Sequence, residues 1–396
     1  MRIAFIDYVL DPARPGASGL SDIVWNMARE LAKLGDDVHI VGPYTVEPDP
    51  IDGITVHRFK LPPIGYRNIA GHILIVLAAW RVARRIPNLD AIHAPEYLTT
   101  GIIAPFSRVP VLLTTPGNIY ERIAHGNPFD PLTTQVLKVA ARSSARWCTL
   151  IDAISKDMTK WWVKTGAKRE RIVMIPHGID GNAYRPVPNA RAKLGVNDGD
   201  RMLVFAGRLS AEKNPALLIR AMARIVPTAP DMHLYFVGDG PERSTLANLA
   251  ESLGLSDQVS FAGQVSPDHM PYWYSAADAV VLPSASEALP RVMLESMACG
   301  SVFVGTRISG VVDHVRDGET GYLVDVGDEA GLARAILTVV RGPENMNAIR
   351  SGARAYVFES LSWPIVMTNL HREILSRVQP PSEPKPIGVS SWIQGQ

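Results

Sequence analysis

Cysteine is scarce: two residues in 396, Cys148 and Cys299, far apart and each in an apolar setting. That excludes a disulfide framework and a cysteine-based metal site, and it suits small core residues in a reducing cytoplasm. An excess of one charge is also missing. The 40 Lys and Arg nearly balance the 39 Asp and Glu, leaving +1, whereas a nucleic-acid binder would show a basic surplus. No apolar run approaches the ~20 residues of a membrane span. The most apolar stretch, Ile73 to Trp80, ends in Arg81, Arg84 and Arg85. It reads either as a packed helix with a basic end or as a helix lying on a membrane surface. The opening Met1-Arg-Ile-Ala-Phe-Ile-Asp7 is too short for a signal peptide and reads as a strand. There is no G-x-G-x-x-G. Gly238-Asp-Gly240 lacks the third glycine, which argues against a dinucleotide dehydrogenase. Asp198-Gly-Asp200 reads as a turn rather than a metal pair, so no metal ligand is assigned.

What is present is a long alternation of short apolar strands and amphipathic helices. It predicts α/β architecture with parallel, doubly wound sheets. Strands are expected at 2–7, 38–41, 54–59, 91–93, 111–114, 150–153 and 172–175, and a helix at about 21–34. The stretch Pro176 to Pro188, followed by the turn 195–200, is broken by Pro and Gly and reads as a linker. A second α/β series begins at Leu203. Asn214 is expected to cap a helix that starts with Pro215. The expected divisions are 1–178, a linker at 179–200, 201–360, a helix at 361–378 and a disordered tail at 379–396.

Three constellations carry chemistry. The first is Pro283 to Gly300, between the strands Ala279–Leu282 and Val302–Gly305. Pro290 suits a first helical position and Gly300 the residue just past the end. The unpaired amides of such a first turn suit a phosphate. Glu287 and Glu295 frame it, and carboxylates beside a phosphate suit sugar hydroxyls; two solvated helix-end charges are the plainer reading. The second is Gly207-Arg-Leu-Ser-Ala-Glu-Lys213, where two cations leave a strand's carboxyl end and suit a diphosphate. A pair of ordinary surface cations is the alternative. The third is the first βα loop, Gly16-Ala-Ser-Gly19, whose backbone could approach a phosphate or a sugar.

Arg208 with Lys213, Val237-Gly-Asp-Gly-Pro241, Glu287 with Glu295, Ser309-Gly-Val-Val-Asp313 and Gly318 to Val324 together resemble the donor half of the retaining glycosyltransferases of family 4. The N-terminal half is similar through its first loop, Ala153-Ile-Ser155 and Ile175 to Asp180, and the resemblance spans about 1–378. It implies a GT-B fold: two Rossmann-like domains facing each other across a cleft, the first for the acceptor and the second for the donor, with the last helix crossing back. It implies a hexosyltransferase that retains configuration and needs no cofactor or metal beyond its nucleotide-sugar co-substrate. Arg208 and Lys213 would hold the diphosphate and Glu287 would face the sugar; these three are the expected catalytic groups. Amides of Ala288, Leu289, Pro290 and Arg291 would flank sugar and phosphate, Pro290 through its main chain only. Glu295 would bind ribose, Val265 the base by its main chain, and Gly19 the diphosphate from across the cleft. Three departures stand out. Ala288 replaces a frequent Gly, Ser309-Gly310 replaces Gly-Gly, and Pro116 stands where many members carry a catalytic His. His93, which ends a neighbouring strand, could partly take that role or be a satisfied structural histidine; it and Glu96 are the acceptor-side candidates. A binding-only protein or an epimerase of the same fold remains open on those departures. A lipid acceptor would suit the Trp80–Arg85 region and contact with the inner membrane surface.

Overall fold

The computed structural model describes residues 1–7, 19–44, 50–60, 69–115, 130–197, 199–342 and 344–378. The expectations for 16–18, Pro116, Asp198 and the tail lie outside these. The N-terminal elements are β1 (Arg2–Ile6), α1 (Gly19–Lys33), β2 (Asp37–Gly42), β3 (Ile54–Arg58), α2 (Ile69–Ala83), β4 (Ala91–Ala94), α3 (Tyr97–Ile103), β5 (Val111–Thr114), α4 (Pro131–Trp147), β6 (Leu150–Ala153), α5 (Lys156–Thr165) and β7 (Ile172–Met174). The linker holds α6 (Ala190–Leu194). Then come β8 (Arg201–Ala206), α7 (Pro215–Ile225), β9 (Met232–Val237), α8 (Arg243–Ser252), β10 (Val259–Gly263), α9 (Met270–Ala276), β11 (Ala279–Leu282), α10 (Arg291–Ala298), β12 (Val302–Thr306), α11 (Ser309–Val312), β13 (Tyr322–Val324), α12 (Glu329–Arg341), α13 (Met346–Ser360) and α14 (Trp363–Val378).

The strands form two sheets, in the orders β3-β2-β1-β4-β5-β6-β7 and β10-β9-β8-β11-β12-β13, and every pairing is parallel. Parallel sheets are covered on both faces, which is why their strands read as continuous apolar runs. All four residues of β4, β5, β6 and β11 are buried. In each sheet the chain reverses its direction of winding once, between β1 and β4 and between β8 and β11. Ligands of such sheets bind outside the carboxyl ends at those switch points.

Local chemistry sets the helix ends. Asp130 accepts from the Thr133 amide at the start of α4 at 3.0 Å, and Ser155 from Met158 at the start of α5 at 3.4 Å. Asn214 does precede α7 and Pro215 opens it, but the Asn214 side chain caps nothing. Its backbone is left-handed (φ 49°, ψ 47°), a conformation Asn tolerates better than most residues. Pro290 is the residue before α10 rather than its first, since the helix starts at Arg291. Within the stretch read as a linker, α6 packs on α9, and Arg191 donates to the Ala276 carbonyl (3.1 Å) and to Asp278 (2.8 Å).

α14 crosses back. Trp363, Val366, Met367, Leu370 and Ile374 join one core with Ile23, Met27 and Leu31 of α1 and with Phe5 of β1. Its entry is pinned by Ile179, whose amide donates to the Leu361 carbonyl at 2.8 Å while the Trp363 amide donates back at 3.3 Å. His371 Nε2 lies 3.0 Å from Asp36. Because this helix is part of the N-terminal core, Leu370→Ala should lower unfolding stability by about 2–5 kcal/mol. Urea denaturation of the full chain checks this, and an unchanged midpoint would detach α14 from that core.

Candidate active site

At the β8/β11 switch point, two loops far apart in sequence meet. β8 leads into Gly207–Asn214, and β11 into Pro283–Pro290. The Ala285 amide donates to the Glu212 carbonyl at 2.9 Å and holds the loops together. The Lys213 ammonium donates to Glu287 Oε1, which also accepts from Ser284 Oγ at 2.7 Å. Glu287 is buried and Lys213 partly so, which strengthens the pair over a surface one. Arg208 is exposed at the mouth of the first loop. Beside it lies a cleft of about 570 Å³ lined by Gly207, Arg208, Gly238 to Pro241 and Gln264. Val265, expected near the base, directly follows Gln264. Gly238 takes φ +137°, and a Cβ there would lie 2.0 Å from the Gly207 carbonyl oxygen. Only glycine lets these backbones touch, which explains the Gly-Asp-Gly stretch without a dinucleotide.

α10 starts beside this pair. Glu295 is buried in its second turn. Tyr274 donates to Glu295 Oε2 at 2.8 Å, the Arg291 guanidinium stands 3.3 Å from Oε1, and Tyr184 of the linker also hydrogen-bonds the carboxylate. Burial and then the Glu295 charge push both tyrosines well up, so they remain neutral donors. The sequence singles out Glu295 but neither tyrosine, because Tyr184 and Tyr274 lie 111 and 21 residues before it and carry no local pattern. Gly310 presses on the Glu287 loop: a Cβ there would lie 2.3 Å from the Ala288 carbonyl oxygen and 2.6 Å from that of Glu287. Where the family commonly has two glycines, the second is the one this contact requires.

The two halves touch across the cleft. Arg291 Nη1 donates to Asp22 of α1 at 2.8 Å. The sequence had assigned Arg291 only a backbone amide, and its side chain proves to be an interdomain contact. On the other side, Asp313 accepts from the first amide of α5, Lys156, at 3.2 Å and pairs with the Lys156 ammonium at 2.8 Å. Ser309 Oγ accepts from the Asp157 amide at 3.4 Å. The positive end of α5 is thereby capped by the other domain.

On the N-terminal side, Gly19 opens α1. Glu96 is buried, and its carboxylate accepts from the Leu98 amide (2.7 Å), the Thr99 amide (2.6 Å) and the Thr99 hydroxyl. It is the N-cap of α3, a structural job that occupies the carboxylate expected to face an acceptor. His93 is buried under Phe5, with Nε2 2.8 Å from Thr114 Oγ1. Burial pushes its pKa down to about 3, so the ring is neutral. Thr114 Oγ1 reaches Asp152 Oδ2 at 3.3 Å. His93 Nδ1 and Asp152 Oδ1 have no partner among the described residues. The three form a buried polar chain under the cleft at the ends of β4, β5 and β6.

Burial pushes Asp152 up to about 8, opposed by hydrogen bonds from Thr114 and the Ile175 backbone. Between its unfolded value of 3.8 and about 8, the folded state holds a proton that the unfolded state releases. This contribution to stability therefore falls as pH rises through that window. His93 works oppositely, stabilising as pH rises from about 3 to 6.5. Asp152→Asn should abolish the first slope and leave the second. Thermal midpoints of the two proteins from pH 4 to 9 check it, and parallel curves would contradict it. Gly310→Ala should displace the Glu287 loop and lower kcat more than it lowers thermal stability; normal turnover would show that the loop can yield.

The model of glycosyl transferases group 1 matches residues 186–356, and that of glycosyltransferase family 4 matches 17–182. The chain is similar to the D-inositol 3-phosphate glycosyltransferase of Rhodococcus jostii, 35% identical over 394 residues and covering 91% of this chain and 86% of that protein. It is also similar to the one from Acidothermus cellulolyticus, 32% identical over 374 residues, covering 85% and 82%. In fold it matches the sucrose-phosphate synthase of Thermosynechococcus elongatus with a TM-score of 0.79, 22% identity and coverage of 95% and 99%. Two parallel Rossmann-like sheets, a helix crossing back and both family matches agree: the chain belongs to the retaining glycosyltransferases of family 4, with the GT-B fold, and moves a sugar from a nucleotide sugar to an acceptor.

Proposed function

We propose that Arg208, Lys213 and the start of α10 receive the donor diphosphate, with Glu287 on the sugar and Glu295 on the ribose. The observation that supports this most is the contact of Lys213 with Glu287 beside the exposed Arg208 at the switch point. Lys213 can trade Glu287 for a phosphate oxygen and so leave that carboxylate to the sugar hydroxyls. Glu295 is aimed by two tyrosines and Arg291, which suits an acceptor of ribose hydroxyl bonds. Gly19 and the main chain at Val265 would close the donor site from either end, with the backbone of Ala288, Leu289 and Pro290 along the sugar.

In the reaction, the bond from the anomeric carbon to the diphosphate oxygen breaks, and the acceptor oxygen bonds to that carbon on the same face. The acceptor proton passes to the departing phosphate oxygen. Charge gathering on the leaving group is met by Arg208, Lys213 and the α10 amides, so the scheme needs no metal and no separate catalytic histidine. Domain contacts at Asp22–Arg291 and Lys156–Asp313 would help exclude water. The names of the two bacterial relatives make a phosphorylated cyclitol the first acceptor to try, and two free, buried cysteines suit work in the cytoplasm.

Lys213→Ala should cut kcat by about 10²–10³-fold, the usual loss of one donor to a developing anion. Turnover of a nucleotide hexose, measured with and without chelator, checks it. Near-normal turnover in the variant would remove Lys213 from the diphosphate, and activity lost to chelator would overturn the metal-free scheme. A thermal shift with UDP, GDP and ADP would identify the base.

A further inference from the structure

The parallel strands β4, β5, β6 and β7 lie side by side in that order. The segments that enter them therefore emerge side by side at one pole of the N-terminal domain, opposite the carboxyl ends and the cleft. Arg84 and Arg85 lead into β4, Arg108 into β5, Arg146 into β6, and Lys168, Arg169 and Arg171 into β7. Across 84–90, 104–110, 145–149 and 166–171 these seven cations meet two carboxylates, Asp90 and Glu170, in a chain whose total is +1. Asp90 is already taken by the Arg2 amide at 2.7 Å. At the edge of this pole, Asp37 is paired with Arg2.

The same pole carries exposed aromatics. Phe106 is 70% and Trp147 51% exposed. Arg84 lies 4.9 Å over Trp80, Trp80 packs at 6.3 Å on Phe106, and Arg146 lies 5.5 Å over Trp147. The Arg171 guanidinium donates to the Arg146 carbonyl at 2.7 Å, joining the last two connectors. A cavity of about 480 Å³ opens between them, lined by Arg146, Trp147, Lys168 and Arg171 among others. The α2 surface continues the pattern with exposed Leu74 and Leu77 and no acidic residue.

We propose that this pole seats the protein on an anionic membrane surface, with Phe106 and Trp147 entering the interface and the arginines facing lipid phosphates. Exposed apolar and aromatic side chains set among cations fit a bilayer interface. A nucleic-acid backbone would use the cations and leave Phe106 idle. A second copy on the same face would oppose cation to cation. The cleft lies at the other end of the strands, so the seat works whatever the acceptor is, and it stands apart from the donor-site assignment.

The test is sedimentation of the full chain with phosphatidylcholine vesicles and with phosphatidylglycerol-rich vesicles. Binding is expected only to the second and should fade at high salt. Arg84→Glu with Arg85→Glu and Arg108→Glu should weaken it by more than about tenfold, and Phe106→Ser with Trp147→Ser should weaken it as well. Arg334→Glu, on the other domain, should bind as the parent does. Thermal midpoints and turnover of a soluble acceptor verify that the variants are folded. Absence of binding to anionic vesicles, equal binding to both vesicles, or triple-variant binding at the parental level would each overturn the proposal. Competition by a duplex oligonucleotide, with binding indifferent to Phe106 and Trp147, would make this a polyanion surface and overturn it too.

Discussion

The adjacency of β8 and β11 governs the proposed donor site. Seventy-two residues separate the end of one from the start of the other, yet they pair directly, Leu203 against Ala279 and Val204 against Val280. That pairing brings a loop with two cations against a loop with a buried carboxylate. A carboxylate as covered as Glu287 is stable as an anion only beside a cation or strong donors, and it has Lys213 and Ser284. The ion pair is thus a consequence of the fold; under the proposed assignment, a diphosphate would compete with Glu287 for the same ammonium.

The halves are coupled through α10 and α11. Arg291 holds Asp22 with one nitrogen and stands beside Glu295 with another. A single guanidinium therefore links the first helix of the N-terminal domain to the carboxylate assigned to the ribose. The Gly310 approach ties α11 to the Glu287 loop, and the same short helix supplies Ser309 and, at its end, Asp313 to the α5 terminus. The Glu287 loop and the domain contact are parts of one connected unit, so a change at the proposed sugar position would have a short mechanical route to the interface.

The acceptor side is a different matter. His93 and Glu96 are the acceptor-side candidates in the sequence, His93 because it ends a strand next to the one where many members carry a catalytic His. In the structure, Glu96 turns its oxygens to the amides of its own helix, and His93 turns inward to Thr114. Both are buried polar groups that found partners within a few ångströms, and a linear pattern cannot distinguish that outcome from an exposed one.

Much of this protein is written along the chain. Apolar runs of four to six residues alternating with amphipathic helices determine parallel α/β layers, because a strand buried on both faces admits little else. Glycine and proline mark the helix ends, and the spacing of Glu287 and Glu295 places one in the loop before a helix and the other in its second turn. The rest depends on residues brought together from distant positions. Tyr184 and Tyr274 on Glu295, Asp22 on Arg291, Asp313 on Lys156, and the row of cations at the foot of β4 to β7 have no common interval in the sequence. Strand order alone sets which loops become neighbours, and strand order is decided by the packing of whole layers.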